Sequence, residues 1–513
     1  MRIRYFLSAV TLGLGLTVVL LLLLTHPIPV AHATPGIYYV REGASGNCLS
    51  VTTPCSSVQH AINLATIPDD EVWVAGGTYT ENLVITHSVK LRGGWDVSFT
   101  VQSPVSTPAI IDGGGDHVVR IDAAGEAVEL DGLTLTNGRD GIHIDDGVVT
   151  TTRCTVQTYA RQGIEIDDGT VWLAENLIRD GEREGVEIDG GTVTVLSNTV
   201  DGVGRYGILV EGGDVIIKGN LIHDVRGEAY HGIRIEVNGV IVGNEIADVG
   251  DRGIDALNGT FLIANNIVRN AGGDGIRTAD TSTGVEIRDN IIYNTGNDGI
   301  DARGVTITIA ANTVAGCADN GIKAEGVGNW AHIEANWVLS NAVGIAIHDA
   351  PVFTLTNNVI GDNITSSVEL TGTATGFLYH NTLVGSGTGA QGIGLTVLSS
   401  LTATIVNSIV VSHHVGITAM PGATLIVSNT LLWGNGDDPI SGTDAVLLPP
   451  RFVAPSQRDY HLLPDSPAVD AGIDIGVADD VDGDPRLGTP DIGADEVWYK
   501  VHLPITLRSA PTL

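Results

Sequence analysis

A short phrase, Gly-Ile-His-Ile in its first form, returns along this chain at nearly constant spacing. It starts at Gly141, Gly163, Gly185, Gly207, Gly232, Gly253, Gly275, Gly299, Gly321 and Gly344, and continues with Ser367, Gly392 and Gly416. The twelve gaps run from 21 to 25 residues over a span of 275, a mean of about 22.9. Such a period belongs to solenoids, in which one repeat cannot bury its apolar face alone and stacks on the next.

A second phrase follows the first at about 13 residues: Asn176, Asn198, Asn220, Asn244, Asn266, Asn290, Asn312, Asn336, Asn358, Asn381, Asn407 and Asn429, each followed by x-(Ile/Val/Leu). Cys154 holds this slot in the first full coil. Each repeat therefore reads as two short strands of period two with turns between them. Glycine marks the bend into the strand, and asparagine readily takes a left-handed turn. In a stack the asparagine side chains can pair amide to amide along the axis. A leucine-rich repeat has a similar period, but it needs a leucine framework and often a helical half. Here the inward slots are Ile and Val, and no helical periodicity separates Gly141 from Asn429. The phrases resemble the parallel β-helix repeats of the pectate-lyase-like superfamily. That resemblance implies an all-β fold, a right-handed parallel β-helix solenoid.

The flanks differ from the repeats. Residues 1–33 carry Arg2 and Arg4, an apolar run from Tyr5 to Leu24, and Ala31-His32-Ala33, a small-x-small cleavage signature. This is the pattern of a signal peptide, and uncleaved it would be long enough to anchor the chain in a membrane. Export to the cell surface or beyond is the expectation. Residues 34–101 contain a strand at Tyr38-Tyr39-Val40, a loop between Cys48 and Cys55, and an amphipathic pattern from Ser57 to Ala65, which suits the helical plug that an open solenoid end requires. This run resembles the N-terminal region of secreted bacterial β-helix proteins, with its Gly-Thr-Tyr-x-Glu-Asn turn. Export makes a Cys48–Cys55 disulfide expected. Cys154 and Cys317 are too many coils apart to pair and read as buried thiols.

The solenoid is expected over residues 102–437. Residues 438–496 are broken by prolines and carry Asp459-Tyr-His-Leu462, Asp465-Ser-Pro-Ala-Val-Asp-Ala-Gly472, Asp480-Val-Asp-Gly-Asp-Pro-Arg486 and Asp491-Ile-Gly-Ala-Asp-Glu496. These phrases resemble the choice-of-anchor Q domain, which implies an irregular C-terminal cap on a surface protein. Residues 497–513 read as an attachment tail.

With 26 basic against 60 acidic residues the net charge is −34, and removing the two leading arginines makes it −36. Such acidity excludes nucleic acid as a partner and disfavours polyanionic glycans. Cations or neutral polymers fit better, and the chain is expected to act as a monomer.

Registering the coils places outward side chains in rows about 4.8 Å apart. Four residues after the repeat glycine come Asp145, Asp167, Asp189, Glu211 and Glu236, and two before it Arg139, Arg161, Arg183 and Arg205. The acidic row is either a set of solvated turn carboxylates or a run of calcium sites. Asp480, Asp482 and Asp484 alternate as in an EF-hand loop, but Pro485 stands where that loop needs glycine, so they are either calcium ligands or a turn. No cofactor is required beyond such calcium.

Two residues after the glycine, Arg234, Asp255, Arg277, Asp301 and Lys323 alternate in sign, beside His231, Arg252, Asp274, Asp298 and Asn320 one residue before it. Opposite charges so stacked stabilise the register of an exposed sheet. The superfamily resemblance implies a second possibility, since its lyases and hydrolases work along such a face. Asp255, Asp274, Asp298 and Asp301 would then be acid, base or calcium ligands, with Arg252, Arg277 and Lys323 on the substrate. The signature phrases of pectate lyases, polygalacturonases and mannuronan epimerases are absent from the chain. Two functions follow: a non-catalytic exported solenoid that binds polysaccharide or envelope glycan along one face, or a calcium-assisted polysaccharide lyase or glycoside hydrolase.

Overall fold

The computed structural model describes residues 34–386, 392–440 and 442–497. The expected signal peptide and the tail from Trp498 onward lie outside the described residues. No helix among the described residues is long and apolar enough to cross a membrane.

The chain is a parallel β-solenoid, as the repeat requires, but each coil has three strands rather than two. One coil shows the pattern: Ile164–Ile166 in a first sheet, Thr170–Ala174 in a second and Leu177–Arg179 in a third. Each strand pairs in parallel with its counterpart one repeat away, Ile164 with Val186, Val171 with Val193 and Ile178 with Val200. In the coils before it, Val119–Asp131 and Ile142–Thr152 run unbroken from the first sheet into the second. The middle strand was read as a turn because only two residues, Glu175 and Asn176, separate it from the third, and Glu175 alone makes the corner with a left-handed φ of 56°. Its alternation, Val171 and Leu173 in and Trp172 out, is the period that marks a strand. Inward aliphatics fill the axis, among them Val156, Ile178, Val200, Ile222, Ile246 and Val268, all fully buried.

The conserved spacing of the glycines has a steric cause different from a bend. None from Gly141 to Gly344 is left-handed. At Gly141 a β-carbon would stand 2.2 Å from Val156 Cγ1 and 2.6 Å from the carbonyl of Gly163, so coils can approach only where no side chain exists. Ser367 takes the slot in a later coil, and register then passes to Gly394 rather than Gly392, because Val368 pairs with Leu395.

The asparagine ladder forms. Asn176 Nδ2 donates to Asn198 Oδ1 at 2.9 Å while the backbone N–H of Asn176 donates to the same oxygen at 3.0 Å, and this pair of hydrogen bonds to each successive amide continues to Asn381. The left-handed residue is the one before each ladder asparagine, such as Asn265 at φ 56°. Asn407 and Asn429 occupy that preceding position, with φ of 52° and 46°. Ser408 receives the bond from Asn381, and the ladder of amides ends there.

At the N-terminal end the helix Val58–Leu64 buries Val58, Ala61 and Ile62 over the first strands. Ser57 caps it, and Glu81 accepts from the N–H groups of Val58 and Gln59 and from the Ser57 hydroxyl. Cys48 and Cys55 are disulfide-bonded, while Cys154 and Cys317 are buried free thiols. At the other end the chain first lays Asp437, Thr443 and Val446 in single parallel bridges on Val415, Ser428 and Leu431 of the last coils, with Ile440 against the core. It turns back along the flank, where Tyr460, Leu462, Ala468, Ile492 and Ala494 pack on Val359, Val384, Ile409 and Leu431 of the third sheet. The buried Arg486 locks this strap by donating to the carbonyls of Gly493 and Ala494 and to Asn357 Oδ1 of the solenoid.

Candidate functional site

Two outer faces carry the chemistry, one charged and one almost uncharged. The charged row of the first sheet runs Arg234, Asp255, Arg277, Asp301, Lys323 in register over successive coils. Three guanidiniums meet Asp255: Arg234 at 3.2 Å, Arg277 at 3.6 Å and Arg252 at 3.9 Å. Arg252 also reaches Asp274 at 3.1 Å, and Asp301 is held by Arg303 at 3.2 Å. Asp255, Asp274, Asp298 and Asp301 are 1%, 4%, 2% and 4% exposed. The side chains of Arg252, Arg277 and Lys323 lie over them at 23%, 27% and 17%. The structure therefore gathers all seven predicted residues into one patch, with the carboxylates folded beneath the cations.

Burial sets the electrostatics here. It raises Asp255 and Asp301 above the ordinary carboxylate range, against the pull of their arginines. Asp298 is pushed up to about 6 by burial, opposed by the N–H groups of Asn320 and reinforced by Asp274 and Asp301. His231, buried among Arg252, Arg234 and Arg277, falls to about 3 and is neutral at physiological pH. At one end of the patch Tyr206 and Tyr230 meet edge to face at 5.0 Å, with Arg234 over the first ring and Arg205 over the second. These tyrosines were not singled out in the sequence, because Tyr206 stands in a row otherwise filled by polar groups.

The predicted acidic row divides. Asp145 is bound by Arg120 at 2.8 Å, and His143 sits between Glu165 at 2.7 Å, Asp145 at 3.4 Å and Asp167 at 3.6 Å. His143 is raised, first by Glu165. Asp189 and Glu211 instead converge with Glu187. The arginines two before each glycine pair with acids of their own or the adjacent coil, as Arg139 does with Asp140 and Arg205 with Glu184. On the strap, Asp480, Asp482 and Asp484 do not converge. Asp480 spends Oδ1 on the N–H groups of Asp482 and Asp484 and Oδ2 on that of Glu496, a turn knot. Asp482 turns to His461 at 2.8 Å, near Asp495, a grouping that sequence spacing alone did not join.

The second sheet offers a different surface. Its central outward row runs Thr150, Trp172, Thr194, Ile216, Val240, Leu262, Glu286, Thr308. A shallow trough of about 640 Å³ lies along it, edged by Thr192, Asp214, Asn238, Thr260 and Thr306, with Glu286 on its floor. Trp172, Ile216, Trp330 and Val352 on this sheet stay exposed to more than two-fifths. Sequence spacing does not mark the trough, because its strand ends at a left-handed residue of changing identity.

No curated protein is similar enough to match the chain. Among solved structures, the pectate lyase Pel9A aligns at 14% identity over 91% of this chain and 97% of its own, with a TM-score of 0.23. The Agl-KA catalytic domain aligns at 14% over 78% and 70%, TM-score 0.39. The A-module of the Azotobacter vinelandii mannuronan C-5 epimerase AlgE4 aligns at 15% over 80% and 97%, TM-score 0.31. Superpositions this loose transfer no residue and no reaction. The family model described as right handed beta helix region matches residues 117–261 and 256–408, more than half of the sequence, and the chain belongs to that right-handed β-helix family.

Proposed function

We propose that the protein is an exported, non-catalytic rod that holds a neutral polysaccharide along the outer face of its second sheet. The observation that carries this reading is the trough. It is long and open, lined mainly by threonine hydroxyls and aliphatic side chains with Asp214 and Glu286 as its charged members, in a molecule whose net charge is −34. A lane with only two carboxylates among its lining residues, on so acidic a surface, favours an uncharged, hydroxyl-rich partner. Threonine hydroxyls can donate to and accept from sugar hydroxyls, and exposed Trp172 and Ile216 give the apolar faces of sugar rings a surface to lie on. The charged patch suits a structural part, because its carboxylates are covered and Asp255, Asp274 and Asp301 are paired with arginines. The Cys48–Cys55 disulfide supports an oxidising, extracytoplasmic location, and the strap phrases support a surface-attached protein.

Retention on insoluble neutral polysaccharides tests the reading. The full chain should co-sediment with at least one of them, Ile216→Asp should weaken retention at least tenfold, and Arg277→Ala should leave it unchanged. Loss with Arg277→Ala but not with Ile216→Asp would move the site to the first sheet.

One observation favours the catalytic alternative: Asp298, held up at about 6, accepts from Asn320 beside Asp274, which is an acid placed near a second carboxylate. Release of new reducing ends or unsaturated sugars, abolished by Asp298→Asn in a chain that still melts normally, would establish it.

A further inference from the structure

Upstream of the patch, the outward row of the first sheet reads Arg120, His143, Glu165, Glu187, Leu209, Arg234 over consecutive coils. At both ends the carboxylates have a cation. His143 serves Glu165, and Arg234 serves Glu236 at 2.7 Å and Asp255. Between them Glu187, Asp189 and Glu211 bring oxygens within 4.8 Å of one another, and among the described residues no Lys, Arg or His nitrogen lies within 4.0 Å of any of the three. The slot where the neighbouring coil holds Arg234 is Leu209. One positive charge is missing from the row.

A second, separate feature points to the same place. Gln162 is 1% exposed, and its Nε2 donates to Glu187 Oε2. Its Oε1 has no hydrogen-bond partner, an orphaned buried acceptor of the kind that demands an explanation. An amide oxygen without a donor, on the side chain bonded to Glu187, joins three carboxylates without a cation in a set of hard oxygen ligands.

We propose that Glu187, Asp189 and Glu211, with Oε1 of Gln162, bind one calcium ion across three successive coils of the first sheet. Oxygen-only donors select calcium over zinc or copper, which take nitrogen and sulfur. Asp189 and Glu211 are exposed, so water completes the shell on the open side. The site is independent of the polysaccharide reading and lies on another face.

The test is calorimetric titration of the chelator-treated full chain with calcium chloride, with the thermal midpoint read in parallel. The expected result is binding and a raised midpoint. The pair Glu187→Gln and Asp189→Asn should remove one equivalent of calcium, while Asp167→Asn, in the His143 group, should keep it. Absence of heat and of any midpoint shift at millimolar calcium would overturn the proposal. So would an unchanged stoichiometry in the paired variant, or tighter binding of zinc than of calcium at that equivalent.

Discussion

Asn266 shows how much one residue carries. Its Nδ2 donates to the Ile241 carbonyl and to Asn290 Oδ1, and its Oδ1 accepts from the N–H and the Nδ2 of Asn244, all between 2.9 and 3.0 Å. Asn266→Ala should therefore cost about 3 kcal/mol or more, since buried partners left unpaired cost about 1–3 kcal/mol each. Asn429→Ala, outside the ladder and left-handed, should cost about 1 kcal/mol from its backbone alone. Chemical denaturation of the two variants checks the contrast. The ladder was legible in the spacing, but Asn407 and Asn429 were placed one position off, because asparagine suits both the amide slot and the left-handed residue ahead of it. Asp298 gives a pH prediction. Its folded value near 6 lies above the ordinary carboxylate range, so its contribution is fully present below that range and is lost as pH rises through about 6. Asp274 and Asp301 face it and reinforce the trend, and Asn320 opposes it. Asp298→Asn should flatten the fall in thermal midpoint between pH 4 and 7.

At the scale of elements, the coil spacing is set by backbone contact at the glycine row. Gly185→Ala would place a β-carbon 2.5 Å from Val200 Cγ1 and 2.6 Å from the Gly207 carbonyl, and should cost about 1–3 kcal/mol with faster amide exchange in both coils. Gly243→Asn should be nearly neutral. Gly243 has φ of 68° with nothing within 4 Å of a β-carbon, and asparagine holds the equivalent corner at Asn265. The first and third strands of each coil were legible because glycine and asparagine punctuate them. The second was not, since its start follows a variable acidic turn and its end is a single left-handed residue of changing identity, Arg153, Glu175, Ser197 and Ala311 among them. The strap hangs on Arg486. Arg486→Ala should strip its bonds to Gly493, Ala494 and Asn357 and open residues 465–497 to limited proteolysis while the coils stay intact.

Across the whole molecule, each face has a different task because each row repeats one chemistry over many coils. The first sheet pairs most of its charges along the Arg234 to Lys323 row, the third is covered at its end by the strap, and the second is left open with few charges. The seven first-sheet residues chosen from the sequence do come together, since register alone fixes their neighbours. Their burial could not be read from register, because it depends on how arginine side chains lie across the row. The account rests on the second sheet being the surface that meets a glycan. Hydroxyl-radical footprinting of the full chain, free and saturated with a polysaccharide that retains it, measures this directly. Protection is expected at Trp172, Ile216 and Leu262 with Tyr206 and Tyr230 unchanged, and protection of the two tyrosines with none along the trough would contradict it.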